Sequence, residues 1–391
     1  MLGNFIYYNP TKLYFGTEVQ KNLVEALGNF GKKVLLIYGG GSIKTNGIYD
    51  TVTSALKETG KEVTELPGVM PNPTLEKLLE GIKVARDCDA DLILAVGGGS
   101  TIDYAKGVAA SAWFEGNAWE NFWLKQKEPA PDQKVIPVGS VLTLAGTGSE
   151  MNGGSVITDE ANKFKVGKVF GDRLIPKFSI LNPEYTFSLP KNQMVAGIFD
   201  IMSHIMEQYF SGDDDSTSDY LAEGLMRSLI ASSKVAVNDP TNYEARSNIM
   251  WIATWALNTL IGKGKTQDWE VHMIAHAIGA YTHATHGHAL AAISPAYYKF
   301  IMSFGLHRFV RFAKVVWEIP SEGKTDEEVA TAGINALADW IKEIGAASDV
   351  ETLGVTEDML DGIASATILG GGYKKLTRED VIRILKDSFK K

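Results

Sequence analysis

The chain has 391 residues and a formal net charge of −9, with 45% hydrophobic and 22% charged residues. That length suggests two domains, and the acidic balance leaves no basic footprint for nucleic acid. The lone cysteine, Cys88, excludes an intramolecular disulfide, and no apolar run reaches the ~18 residues of a membrane-spanning helix.

Residues 1–10 lack a basic region followed by an apolar one, so no signal peptide is expected and a cytoplasmic location is the default. Residues 5–8 and 12–15 flank Asn9-Pro10-Thr11 and read as a strand pair around a turn. A helix is expected over 19–30. Residues 33–38 form a continuous apolar strand of the kind covered on both faces. This strand runs directly into Gly39-Gly40-Gly41-Ser42. A helix at 47–58, a strand at 62–66 and Pro71-Asn72-Pro73 come next, then a helix over 74–86. Residues 91–96 repeat the apolar strand and run into Gly97-Gly98-Gly99-Ser100. Strand and helix alternate, which means an α/β layer with a parallel sheet. Strands are also expected at 134–138, 155–158 and 179–182, with a small polar loop over 143–150. Beyond Leu189-Pro190 the period becomes helical, at 192–210, 218–238, 243–260, 268–282, 306–317, 325–344, 356–369 and 377–389. The expected domains are therefore an α/β half over 1–189 and an all-helical half over 190–391.

Three glycines after a buried strand permit a tight turn and close approach of a ligand to backbone. Their amides attract phosphate. Neither stretch has the spacing of the common dinucleotide fingerprint, so a plain tight turn is the alternative for each alone. Two such loops in one sheet, with Ser42, Ser100 and Thr101 as hydroxyl donors, point to a ligand at the carboxyl ends of the strands.

Five of the seven histidines lie between His272 and His288. His272 and His276 are four apart, so a helix puts them on one face, and Asp200 and His204 share that spacing upstream. A carboxylate with several imidazoles can hold one divalent transition metal, Fe(II) or Zn(II). Any single histidine here could equally be an ordinary surface or core residue.

Together these residues resemble the iron-dependent (group III) alcohol dehydrogenases, in particular the butanol dehydrogenase branch. The resemblance covers essentially the whole chain. It includes Tyr-Asn-Pro-Thr-Lys-Leu-Tyr-Phe-Gly at 8–16, Pro71-Asn72-Pro73, residues 97–106 and Thr147-Gly148-Ser149-Glu150. It continues through Asp200-x3-His204-x3-Gln208-Tyr209 and His272-x3-His276-x9-His286-Gly287. It implies a nucleotide-binding α/β domain, a helical metal domain and a cofactor in the cleft between them. The implied metal ligands are Asp200, His204, His272 and His286, with Fe(II) favoured over Zn(II). His276 would lie in the site without ligating, to relay the alcohol proton or to support a ligand. The dinucleotide would meet Gly39, Gly40, Ser42, Asn72, Gly98, Gly99, Ser100, Asp103, Thr143 and Thr147. The family also places a lysine near the cofactor, in the strand that follows 155–158. Lys163, Lys165 and Lys168 compete for that role, and Lys165 has the best register. His283 and His288 match no metal position.

The resemblance implies a metal-dependent, NAD(P)H-linked alcohol dehydrogenase or aldehyde reductase, acting on small aliphatic alcohols and aldehydes as a homodimer. No membrane partner is expected. NAD-preferring relatives carry an aspartate where this chain has Gly41. The loop here has no acid and Lys44 lies near, so NADP(H) is favoured over NAD(H). The rivals are a dehydroquinate synthase-like lyase, a metal-dependent hydrolase and a silent metal-binding scaffold. The lyase would need basic groups, and residues 268–292 contain no lysine or arginine. The hydrolase would leave the glycine loops without a role.

Overall fold

The computed structural model describes residues 2–213 and 215–390. By internal packing it divides into a unit of residues 8–189 and a unit that joins residues 2–7 to 190–390.

The first unit is built on β1 (Lys12–Phe15), β2 (Lys33–Tyr38), β3 (Glu62–Leu66), β4 (Leu92–Gly97), β5 (Val138–Leu142), β6 (Gly154–Asp159), β7 (Phe164–Val169) and β8 (Phe178–Leu181). Six of these form one sheet in the order β1-β8-β5-β4-β2-β3, and every pairing in it is parallel. The remaining pair, β6 and β7, is an antiparallel hairpin. Its second strand carries Lys165 and Lys168, in keeping with the strand that the resemblance implies after 155–158. The strand expected at 134–138 instead begins where that stretch ends, because Pro137 offers only its carbonyl, which takes the Ile93 N–H.

Helices α1 (Val19–Leu27), α2 (Ser42–Thr45), α3 (Ile48–Glu58), α4 (Leu75–Asp87) and α5 (Gly99–Ser111) connect the strands. The chain moves outward from β2 to β3, then returns past β2 to lay β4 on its other side. The reversal point therefore lies between β2 and β4, the two strands that carry the glycine loops. Alternate residues of β2 and β4, among them Val34, Leu36, Leu92, Leu94 and Val96, form a dry core with Leu23, Leu27, Val52 and Leu56 of α1 and α3. Each such side chain contributes about 1.5–3 kcal/mol by burial.

The strand pair expected around residues 9–11 does not form. Lys12–Phe15 pairs in parallel with β8, and residues 5–8 have no strand. The reason is local: Asn9 Oδ1 takes the Thr11 N–H at 3.1 Å and Asn9 Nδ2 donates to Met151 O at 2.8 Å. That side chain turns the backbone away from a hairpin. Residues 2–7 were expected within the α/β half, but they group with the helical unit. There Gly3 N donates to Gly264 O at 2.9 Å.

The second unit contains α6 (Lys191–Tyr209), α7 (Thr217–Ala236), α8 (Tyr243–Ala256), α9 (Glu270–Thr282), α10 (His286–Ile301), α11 (Leu306–Val315), α12 (Asp326–Ile344), α13 (Leu360–Ala366) and α14 (Arg378–Asp387). Helix α10 is absent from the sequence expectation because Pro295 interrupts its helical pattern. Helix α6 runs through the middle of the unit and is buried from Met194 to Tyr209. Asp200, Ser203, His204, Glu207 and Gln208 recur along it every three or four residues, so its polar groups form one stripe inside the protein. Buried polar groups are costly unless they find partners, and this stripe marks where chemistry outweighs core packing. Among the described residues, no helix is long and apolar enough to cross a membrane.

Candidate active site

The stripe on α6 meets α9 and α10. Around one oxygen of Asp200 stand three imidazole Nε2 atoms, from His204 at 3.5 Å, His272 at 3.7 Å and His286 at 3.7 Å. Asp200 and His204 are a turn apart on α6, His272 is on α9, and His286 is the first residue of α10. Donor atoms of Asp200, His204 and His272 all lie within 4.8 Å of one another. The His204 and His272 rings stack with centroids 4.7 Å apart, and the His272 and His286 centroids are 5.1 Å apart. Asp200, His204 and His272 are buried, while the His286 side chain is 23% exposed and gives the site an open side.

Gly287 lets α10 come this close. A Cβ at that position would stand 1.9 Å from the Ala196 carbonyl oxygen on α6. Only glycine permits the contact that seats His286 beside Asp200.

Glu207, one turn beyond Ser203 on the same stripe, is fully buried. It accepts the Ser203 hydroxyl at 3.0 Å, the His272 backbone N–H at 3.2 Å and a short contact with His272 Nδ1. With the proton held at Nδ1, the lone pair of Nε2 faces Asp200. Burial alone would depress the His272 pKa, but the charges of Glu207 and Asp200 outweigh it and lift the value to about 9. His272 Nε2 is buried and lies 3.7 Å from Asp200 Oδ1, beyond ordinary hydrogen-bond length. The mutually close donors of Asp200, His204 and His272, with His286 Nε2 3.7 Å from the same Asp200 oxygen, fit a divalent transition metal, which would bind His272 once Nε2 is deprotonated. Glu207 escaped the sequence reading, although its place three residues after His204 on a buried helix was a signal.

His276 sits one turn beyond His272, with ring centroids 6.2 Å from His272 and 5.2 Å from His286. It adjoins the group, and like His286 it is outside the mutually close set of donors, but His286 Nε2 lies 3.7 Å from Asp200. His288 is occupied structurally: its Nε2 meets Asn192 O at 3.1 Å and its Nδ1 accepts from Ala347 N at 3.2 Å. His283 ends α9 in a left-handed conformation. Phe199 is a core residue against Trp340, whereas Trp251 is 42% exposed and packs edge-on to Trp255.

In the α/β unit the glycine loops leave the carboxyl ends of adjacent strands β2 and β4. Thr143 N donates to Gly97 O at 3.0 Å, which lays the residue after β5 beside the second loop. Thr147 stands against Gly99, where a Cβ would meet its Oγ1 at 2.2 Å. Lys165 Nζ donates to Asn72 Oδ1 at 2.8 Å, so two of the expected cofactor residues meet directly. Lys168 is taken up by Gln126 O and Glu128, and Lys163 lies in the turn between β6 and β7. Ser100 is the second residue of α5, after Gly98 and Gly99.

Asp103 is buried, and its carboxylate accepts the Ser149 hydroxyl and the Val156 N–H at 3.1 Å. Burial raises its pKa, against the pull of Lys106 and Ser149. Lys106, wholly buried, donates to Ser149 O at 3.0 Å, Asn152 O at 3.1 Å and Asn152 Oδ1 at 3.2 Å, and burial lowers its pKa to about 8. The pair ties residues 149–152 to α5, so Asp103 shapes the loop from within.

A family profile described as iron-containing alcohol dehydrogenase matches residues 10–183, and one for the C-terminal region of the Fe-containing alcohol dehydrogenase family matches residues 194–389. The chain is 41% identical to the probable NADH-dependent butanol dehydrogenase 1 of Bacillus subtilis, over 99% of this chain and 100% of that one. It is 36% identical to the NADPH-dependent aldehyde reductase YqhD of Escherichia coli, over 94% and 92%. Its fold is similar to the crystal structure of NADH-dependent butanol dehydrogenase A from Thermotoga maritima, with a TM-score of 0.94 and 39% identity over 100% and 99% of the two chains.

Proposed function

Since the chain belongs to the iron-containing alcohol dehydrogenase family, we propose that it interconverts small neutral aliphatic alcohols and aldehydes with a nicotinamide cofactor. The observation that carries this reading is the convergence of three imidazole nitrogens on one oxygen of Asp200. The fold and the family are those of nicotinamide-linked oxidoreductases, and butanol and aldehyde appear in the names of similar proteins.

Asp200, His204, His272 and His286 would hold the ion, with Fe(II) favoured over Zn(II). Bound there, it supplies Lewis acidity towards an alcohol or carbonyl oxygen, and the nicotinamide supplies the hydride chemistry. The chain's own residues do the rest. Glu207 holds His272 in the tautomer that points Nε2 inward. His276, beside His286, takes the alcohol proton and returns it in the reverse direction. Residues 39–42 and 98–100, with Asn72, Thr143, Thr147 and Lys165, would bind the dinucleotide. Asp103 would act by fixing residues 149–152. Residues 268–292 carry no lysine or arginine, which favours neutral substrates over acids and phosphates.

Similar proteins carry both NADH and NADPH in their names. We favour NADPH here, because the loop after β2 has no acid and a Cβ at Gly41 would meet nothing within 4 Å. Room therefore exists for a 2′-phosphate. The resemblance supports a homodimer, and a single thiol suits a reducing cytoplasm. Light scattering tests the former.

The test is a rate survey with metal-depleted protein reloaded with Fe(II) or Zn(II), using linear, branched and diol aldehydes and both reduced cofactors. Steady nicotinamide oxidation by neutral aldehydes is expected. No oxidation with any of them would sink the reading, and a highest kcat/KM for a carboxylated or phosphorylated substrate would sink the substrate class.

A further inference from the structure

The loop over residues 39–42 contains no acid, yet a carboxylate stands behind it. Glu65, near the carboxyl end of β3, accepts Tyr38 OH at 2.5 Å through one oxygen and Tyr49 OH at 2.6 Å through the other. Lys44, two residues past Ser42, lies 3.9 Å from Glu65. Its ammonium also sits 5.2 Å from the Tyr38 ring centroid and 4.6 Å from that of Tyr49. The four side chains come from β2, α2, α3 and β3, so the arrangement draws the elements around the loop together. The two phenol hydrogen bonds hold Glu65 below the ordinary carboxylate range, which keeps it ionised at neutral pH.

We propose that the Lys44–Glu65 pair sets the choice between NADPH and NADH. Glu65 offsets the positive charge that Lys44 would present to a ribose 2′-phosphate. The inference rests on residues 39–42 facing the adenosine side of the cofactor. NADP differs from NAD there by a phosphate of about −1.5 to −2 charges at pH 7. Room at Gly41 admits that phosphate, and Glu65 limits the attraction it meets. Because two hydrogen bonds fix the carboxylate, its charge is a permanent part of the loop's field. A carboxylate at this place is the acid that the loop sequence itself lacks, supplied from the neighbouring strand.

The experiment measures kcat/KM for NADPH and NADH with butanal, at low and moderate salt, in the metal-loaded enzyme. Glu65→Gln keeps an acceptor for one phenol and removes the charge. The NADPH:NADH ratio is expected to rise about three- to tenfold at low salt and less at higher salt, since charges exposed to solvent are screened. Lys44→Gln should lower the ratio, and the double variant should return it near the starting value. An unchanged ratio in Glu65→Gln, or equal effects on both cofactors, overturns the inference. Ser42→Asp puts an acid into the loop without the strain of Gly41, whose φ is +113°. If Ser42→Asp lowers the ratio while Glu65→Gln leaves it alone, the loop keeps its role and the pair loses it. If neither moves it, both fall. If only Glu65→Gln moves it, residues 39–42 do not face the ribose, and the inference falls in this form together with the loop assignment.

Discussion

Glu207 holds both the ring Nδ1 and the backbone N–H of His272. One carboxylate thus engages both the ring and the helix start that carries it. Because Glu207 is fully buried, its charge is not diluted by water. Glu207→Gln should weaken metal retention about 10- to 100-fold. Competition with a chelator, followed by metal analysis of the protein, gives the value. Unchanged retention would reduce Glu207 to packing.

The ligand set separates from its neighbour by two measurements on each variant. His272→Ala and His286→Ala should lose metal and activity together, because three donors and water replace four protein donors. His276→Ala should keep its metal and lose about 10²–10⁴ in rate, the usual span for a lost proton-transfer group. Metal loss in His276→Ala would move that residue into the ligand set, and full occupancy in His272→Ala would remove His272 from it.

Gly287→Ala tests the approach of α10 to α6. The new methyl would have to displace the Ala196 carbonyl, one turn before Asp200. Overpacking of this kind costs about 1–3 kcal/mol, so the melting temperature should fall by several degrees and metal occupancy should fall with it. A variant with unaltered melting and occupancy would show that the two helices have slack.

Much of this was legible in the sequence, for identifiable reasons. The apolar runs of β2 and β4 end in glycine, so the parallel sheet and its two loops stand out. The four-residue spacings of Asp200 with His204 and of His272 with His276 give helix faces directly. The resemblance supplied His286, ten residues past His276, where spacing alone says nothing. What escaped depends on partners distant in sequence. Glu65 looks like an ordinary strand charge until Tyr38 and Tyr49 close on it. Asp103 reads as a ligand-facing acid, but Ser149 and Val156 engage its carboxylate. Helix α10 was hidden by Pro295, and the start of the chain by a turn that Asn9 makes with its own side chain.

That start has a consequence for how the protein is made. Gly3 donates to Gly264, 261 residues later in the chain. At about 5–20 residues per second, a ribosome needs roughly 13–52 s to travel between them. Residues 3–7, which carry Phe5 and Ile6, are therefore made well before their partner at Gly264, with the whole α/β unit synthesised in between. A substitution within residues 2–7 would thus be felt by the helical unit rather than by the sheet next to it in sequence.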